Sequence, residues 1–169
     1  DSADILQPEK EETYQFIEKL LSSVKESFST NRVHLGMDEA VMLGLGNYLK
    51  ENGYKKGSLI IREHCNRVVD ICRKLELKPM IWSDMYITAN STGGYYDLPE
   101  NTDCSKWEKP KKDLGLVYWD YYHDDTRTYE KMLDIHAQLS DNVIFAGGSW
   151  IWNGISPNYS KTYACTKAA

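Results

Sequence analysis

Two adjacent carboxylates, Asp38 and Glu39, come directly after the strand-forming stretch Arg32 to Leu35. Gly36, between the stretch and the pair, marks a point where the backbone bends or is approached closely. Neighbouring strand residues point to opposite faces, so both carboxylates reach one site only where the strand ends. Ligands bind at the carboxyl ends of strands in barrels and doubly wound sheets. The pair therefore predicts an acid–base site, although an Asp-Glu pair after a strand also caps helices.

Three later strands are expected to end in aromatic and acidic residues. In chain order these ends carry Trp82 and Asp84, then Tyr118 and Asp120, then Trp150 and Trp152. Sugar pockets have flat aromatic walls with polar rims, although ordinary core packing is the alternative for any single ring. Tyr118 and Asp120 are two residues apart and share a strand face, whereas the other register would turn Trp119 and Tyr121 toward the site.

Helices and strands alternate along the chain. Apolar spacing and turn residues predict a helix from Pro8 to Phe28, a strand from Arg32 to Met37, a helix capped by Ser58, a strand from Lys78 to Met85, a loop over 86–113 with a brief helix near Cys104 to Glu108, a strand from Leu114 to Tyr122, a helix capped by Asp125 or Thr126, a strand opening at Val143, and a polar tail that starts another helix. This alternation predicts parallel strands joined by right-handed crossovers.

Composition excludes several classes of protein. The net charge is −5 and the pI about 5.4, with no basic stripe, so no nucleic-acid partner is expected. The sequence has no apolar run of membrane-spanning length and no secretion signal at its start, so no membrane partner is expected; a signal removed before this numbering stays open. The four cysteines lack zinc spacing, and reading them as buried thiols favours a reducing, cytoplasmic compartment without fixing it.

The motif His34-x-Gly36-x-Asp38-Glu39 resembles the signature of glycoside hydrolase family 20, the β-N-acetylhexosaminidases. The chain departs from the usual motif at Met37, where a second Gly is common. The run from His34 to Ala40, followed by Gly44-Leu45-Gly46, is similar to a branch of the family in which Met is ordinary. The resemblance implies an α/β fold of the (β/α)8 TIM-barrel type. Because such a barrel needs about 200 residues or more, residues 1–169 are expected to form a single partial barrel domain of about four β/α units, the second half without its last strand.

The resemblance also implies a reaction. A retaining exo-β-N-acetylhexosaminidase removes terminal GlcNAc or GalNAc by substrate-assisted catalysis, in which the substrate's acetamido oxygen is the nucleophile. Glu39 would be the acid and then the base, with a pKa raised by burial among aromatic residues. Asp38 would hold the acetamido N–H and stabilise the developing charge. The partner is then a glycan or glycoconjugate with a terminal N-acetylhexosamine, and no metal or cofactor is expected.

The remaining expected site residues bind the sugar. Tyr118 would bind the acetamido oxygen and Asp120 the sugar hydroxyls, and His34 either supports the acid pair or is structural. At most two of Trp82, Trp150 and Trp152 are expected to wall the pocket. The family's sugar-clamping Arg, and the Trp and acid of its final strand, are absent from this sequence. Two alternatives stay open: a two-carboxylate glycosidase pairing Glu39 with Asp84 or Asp120, and a carbohydrate-binding barrel without catalysis.

Overall fold

The computed structural model of the protein describes residues 5–169, so the first four residues of the expected domain lie outside the described part. The helices are α1 (Glu11–Ser27), α2 (Asn47–Asn52), α3 (Gly57–Lys74), α4 (Asp84–Thr88), α5 (Thr126–Leu139) and α6 (Tyr159–Ala168). The strands are β1 (Arg32–His34), β2 (Lys78–Trp82), β3 (Gly115–Trp119) and β4 (Val143–Ala146). Helices and strands alternate much as the sequence predicts.

The four strands form one parallel sheet in the order β1-β2-β3-β4. This confirms the predicted α/β fold with parallel strands. Within the described residues, β1 and β4 have a neighbouring strand on one side only. Since β1 is an edge strand, the loop that follows it is covered by the sheet on one side only.

The three long helices pack on the same face of the sheet. Ile81 of β2 and Leu116 of β3 are register partners, both are buried, and both belong to the core that α3 and α5 cover. Val33 of β1 points the same way and packs on the core of α1 and α3. The opposite face carries half-buried Met80 and Trp82. A one-sided helix layer is the arrangement of a barrel wall, whereas a doubly wound sheet has helices on both faces.

The two predicted helix N-caps can be compared with the structure. Asp125 is the N-cap of α5, where its Oδ1 accepts the N–H of Thr128 at 2.9 Å. Asp125 was one of the two residues predicted for this position. Ser58 is not a cap: it lies inside α3 and is buried, and Lys56 at the N-cap position makes no side-chain hydrogen bond. Burial of Ser58 against the core therefore overrides its preference for a helix end.

Several element boundaries differ from the sequence-based expectation. β1 ends at His34 because the backbone turns into positive φ at Gly36 and Met37. The brief helix expected near Cys104 to Glu108 is a set of turns, and the short helices α2 and α4 were not predicted. The four cysteines are free and buried, as predicted. In the described range, no helix has the length and apolarity needed to cross a bilayer.

Candidate active site

The loop that carries the acid pair has an unusual backbone. Gly36, Met37 and Glu39 have φ of 72°, 67° and 48°. Positive φ in a residue other than glycine costs on the order of 1–3 kcal/mol and persists where neighbouring structure enforces it. The loop is tied to the neighbouring strand, because Trp82 donates its N–H to the Gly36 carbonyl at 3.1 Å. Such strain often accompanies a functional site, which makes this loop the first candidate.

Asp84 is the group that fixes Glu39. Its Oδ2 accepts the backbone N–H of Glu39 at 2.8 Å, and its Oδ1 lies 3.5 Å from the indole N–H of Trp119. The carboxyl is buried, and burial raises its pKa; the nearby charge of Asp38 adds to the rise, while the Glu39 N–H opposes it. The contacts therefore favour a role for Asp84 in orienting its neighbour Glu39. The Asp84 side chain therefore connects the segment after β2 to the loop after β1.

The acid pair itself is exposed to solvent. This corrects the expectation that Glu39 is buried among aromatic residues. The physical reason is that β1 is an edge strand in the described chain, so one side of its carboxyl end is open. Among the described residues, no side chain donates a hydrogen bond or forms an ion pair to either carboxylate. Both carboxylates are thus available to a ligand.

A row of aromatic side chains stands next to the acids. Trp119 stacks on Tyr95 at 5.2 Å between ring centroids, and Tyr121 lies 5.7 Å from Trp119. Tyr121 also contacts Trp152 at 5.0 Å, and Trp150 lies 5.1 Å from Trp152. The two tryptophans after β4 are therefore brought together at one end of the row. Trp119 and Tyr121 are the residues that the alternative strand register would have placed at the site.

Tyr121 is electrostatically coupled to the acids. Burial and the neighbouring Tyr122 raise the pKa of Tyr121 to about 12, and the charges of Glu39 and Asp38 contribute to the rise. The Tyr121 hydroxyl therefore stays protonated at neutral pH and keeps a hydrogen to donate. An aromatic ring with a donor near two carboxylates provides both an apolar wall and a polar contact for a sugar.

Tyr118 and Asp120 lie on the other side of the sheet. They share a face, as their spacing predicts, but that face packs on α5, where both are almost fully buried. The Tyr118 hydroxyl donates to Asp120 Oδ2 at 2.8 Å, and Asp120 also accepts the N–H groups of Tyr122 and His123. The structure therefore does not bring them to the acid pair, and their expected contacts with the sugar are replaced by internal hydrogen bonds.

His34 and Trp82 form a contact at the edge of the site. Their rings are 4.3 Å apart, and His34 Nδ1 accepts the N–H of Gly36 at 3.1 Å. His34 makes no hydrogen bond to Asp38 or Glu39. Of the two expected roles, the contacts favour the structural one, because His34 holds the backbone of the loop at Gly36. Burial lowers the pKa of His34, and the charge of Asp38 opposes this effect. A neutral ring is consistent with an acceptor at Nδ1.

A buried hydrogen-bond chain behind the aromatic row was not foreseen. His136 Nδ1 lies 2.6 Å from the Met132 carbonyl, so it must donate, and Nε2 then accepts from Ser83 Oγ at 2.6 Å. Ser83 in turn accepts from the Tyr95 hydroxyl at 2.6 Å. Burial lowers the pKa of His136 to about 4, which keeps the ring neutral. This chain of hydrogen bonds holds Tyr95, the ring on which Trp119 stacks.

In the described part of the molecule, no cluster of three or more acidic, His or Cys side chains could hold a metal ion.

The fold is α/β with a parallel sheet, and the site combines carboxylates with aromatic rings, as sugar-processing proteins do. Residues 1–131 match the model of the catalytic domain of glycosyl hydrolase family 20. The chain therefore belongs to this family. No curated protein matches it.

Two solved structures are similar to part of the chain. An inactive mutant of the family 20 exo-β-N-acetylglucosaminidase from Vibrio harveyi is 17% identical, with a TM-score of 0.50 over 83% of this chain and 19% of that one. The β-N-acetylhexosaminidase from Bacteroides fragilis is 16% identical, with a TM-score of 0.45 over 75% of this chain and 23% of that one. At such identities the likeness concerns the fold alone. The chain spans about a fifth of the length of these neighbours.

Proposed function

We propose that the protein is a retaining exo-β-N-acetylhexosaminidase that removes terminal β-linked GlcNAc or GalNAc from glycans by substrate-assisted catalysis. The observation that carries the proposal is the geometry of Glu39, whose strained backbone is held by buried Asp84 while its carboxylate stays accessible beside Trp119. The family membership supports a substrate of this class, and the neighbour from Vibrio harveyi is named as an exo-β-N-acetylglucosaminidase.

The proposed reaction begins with Glu39 donating a proton to the glycosidic oxygen as the bond to the leaving group breaks. The acetamido oxygen of the substrate attacks the anomeric carbon and forms an oxazolinium ion. Asp38, next in sequence to the acid, accepts the acetamido N–H and stabilises the positive charge. Glu39 then removes a proton from water, which opens the oxazolinium ion with retention of configuration. Trp119 and Tyr121 provide the aromatic wall for the sugar.

We also propose that residues 1–169 form a single domain that is part of a (β/α)8 barrel. Two features support this. The strands lie side by side in sequence order, and α1, α3 and α5 cover only one face of the sheet. In a barrel the uncovered face, with Met80 and Trp82, would point to the interior, and the acid loop would lie at the carboxyl-terminal mouth, where barrel enzymes place their active sites.

The first test of the function is hydrolysis of 4-nitrophenyl β-N-acetylglucosaminide. Glu39→Gln should lower kcat by about 10²–10⁴-fold, because the amide cannot transfer a proton. Because Glu39 is exposed, the thermal unfolding midpoint of Glu39→Gln should match that of the wild type. This comparison is the control for folding. Undiminished turnover by the folded variant would remove Glu39 from its proposed role.

A second test separates the acetamido route from a two-carboxylate mechanism. Asp38→Asn should impair hydrolysis of N-acetyl substrates, and a thiazoline mimic of the bicyclic intermediate should inhibit the wild-type enzyme. The rival mechanism needs a second free carboxylate, but Asp84 and Asp120 are both buried and engaged in hydrogen bonds. Equal hydrolysis of plain glucosides, without inhibition by the thiazoline, would favour that rival.

A further inference from the structure

A long loop between α4 and β3 carries two neighbouring tyrosines, Tyr95 and Tyr96. The loop covers residues 89–114 and contains no helix or strand. Loops of this length in a compact domain are usually functional. Tyr95 lines a cavity of about 650 Å³ together with Glu39 and Trp119. The hydrolytic reaction described above assigns no role to this loop.

Both tyrosines contact Trp119, each in a different way. The ring of Tyr95 stacks on the indole at 5.2 Å between centroids, with 27° between the ring planes. The ring of Tyr96 meets the indole edge to face at 5.8 Å, and its hydroxyl donates to the backbone carbonyl of Trp119 at 2.7 Å. The loop therefore holds both the side chain and the backbone of Trp119.

The two tyrosines are themselves held in place. The hydroxyl of Tyr95 donates to Ser83, which in turn donates to the buried ring of His136. The ammonium group of Lys131 donates to the backbone carbonyl of Tyr96 at 2.9 Å. Both anchors lead to α5, because His136 and Lys131 lie on that helix. The loop is thus fixed against the core before any ligand binds.

An aromatic wall binds a sugar in one orientation of its ring. Fixing a flexible side chain at the moment of binding lowers the affinity by about two- to tenfold, and a side chain that is already fixed avoids this loss. Trp119 is only half-buried, so its orientation depends on its neighbours. We propose that Tyr95 and Tyr96 are positioning residues that hold the Trp119 indole in the orientation needed by the sugar. The inference rests on the proposed function, which it deepens by naming the loop that sets the affinity for the sugar.

The first readout of the test is Trp119 in the free protein. The 169-residue chain has five tryptophans, which can be labelled as fluorotryptophan and observed by fluorine NMR. Trp119→Phe assigns the Trp119 resonance. Tyr95→Leu removes the stacked ring and should shift and broaden this resonance. Tyr96→Phe removes only the hydroxyl group, so it should shift the resonance by less while keeping a thermal unfolding midpoint close to that of the wild type.

The second readout is the dissociation constant of methyl 1-thio-β-N-acetylglucosaminide, which resists hydrolysis, measured by titration calorimetry. Tyr95→Leu should weaken binding by about two- to tenfold. In a Trp119→Leu background the same substitution should have no effect, because the side chain that Tyr95 positions is absent. This double-mutant cycle separates positioning from a general loss of structure, which would weaken binding in both backgrounds.

Tyr129 of α5 provides the matched controls. It is 3% exposed, against 8% for Tyr95, and its hydroxyl also donates to a backbone carbonyl, at 2.8 Å. Its ring packs against Tyr118 and Phe145, on the helix-covered face of the sheet. Tyr129→Leu and Tyr129→Phe should therefore leave the Trp119 resonance and the affinity for the thioglycoside unchanged.

The results separate the inference from the function. A Trp119 resonance that is unchanged in both Tyr95→Leu and Tyr96→Phe would overturn the inference, and so would unchanged affinity in a variant whose resonance has moved. A loss of affinity that persists in the Trp119→Leu background, or that Tyr129→Leu reproduces, would also overturn it. If the wild type bound the N-acetylglucosamine thioglycoside no better than the glucose one, the proposed function would fail, while a shifted resonance would still show that the tyrosines position Trp119.

Discussion

Replacement of Asp84 by Ala tests the central contact of the site. In the wild type, the Asp84 carboxyl accepts the N–H of Glu39 at 2.8 Å and is the side chain that links the acid loop to α4. A hydrogen bond to a charged group contributes about 1.5–3 kcal/mol. The positive φ of Glu39 costs on the order of 1–3 kcal/mol. The two quantities are similar, so without the bond the loop should relax toward an ordinary backbone conformation.

The effect on catalysis depends on the fraction of molecules in which the Glu39 backbone keeps its positive-φ conformation. A loss of about 2 kcal/mol lowers that population, and with it kcat/KM, by roughly 30-fold. The assay is hydrolysis of 4-nitrophenyl β-N-acetylglucosaminide, with thermal unfolding to verify that the variant is folded. Asp84→Asn is the matched control, because its amide oxygen still accepts the Glu39 N–H. We expect it to retain activity within several-fold of the wild type.

Two results would refute this reasoning. Wild-type kcat/KM in folded Asp84→Ala would mean that Glu39 does not depend on the contact. Equal loss in the Ala and Asn variants would mean that the charge of Asp84, rather than its acceptor oxygen, is needed, as a two-carboxylate mechanism requires.

Three further predictions concern stability. Tyr118→Phe should lower the free energy of unfolding by about 1–3 kcal/mol by removing one of the hydrogen bonds that buried Asp120 accepts, with KM unchanged; a raised KM at unchanged stability would instead place the hydroxyl on the substrate. Asp125→Ala should cost about 1 kcal/mol by removing the N-cap of α5, and an unchanged urea midpoint would contradict this. Because folding raises the pKa of Asp84 above 3.8, folding favours its protonated form, and this stabilisation is present at low pH and lost as the pH rises through the raised pKa. The stability of Asp84→Asn relative to the wild type should therefore increase from pH 4 to pH 7 in urea unfolding, and an equal difference at both pH values would be evidence against the raised pKa.

The strands and the position of the acid pair could be predicted because they depend on local patterns. Apolar runs separated by turn residues located all four strands, and the Asp125 side chain marked the start of α5. The acid pair lies in the short loop that follows β1, so no tertiary information was needed to place it near a strand end.

The orientation of β3 could not be predicted, for a physical reason. Neighbouring residues of β3 are buried on both faces of the strand, so its sequence lacks the alternation of apolar and polar residues that would reveal its orientation. The segment Gly115–Trp119 is apolar or aromatic throughout, and only the packing of α5 decides that Tyr118 points to the core and Trp119 to the site.

The chain of Tyr95, Ser83 and His136 was also beyond sequence reasoning. Ser83 and His136 are 53 residues apart, and neither belongs to a recognisable motif. His136 is fully buried on the inner face of α5, and both of its ring nitrogens have hydrogen-bond partners within the core. Its partner is determined by the tertiary packing of α5 against the end of β2.

The close spacing of Trp150 and Trp152 gives the protein a built-in optical probe. Indole rings 5.1 Å apart couple their electronic transitions, and the coupling depends on the angle between the rings, which is 31° here. Any molecule that slides between these rings and Tyr121 would alter this coupling. Binding of a molecule between these rings and Tyr121 should therefore change the far-ultraviolet circular dichroism and the tryptophan emission of the unlabelled protein.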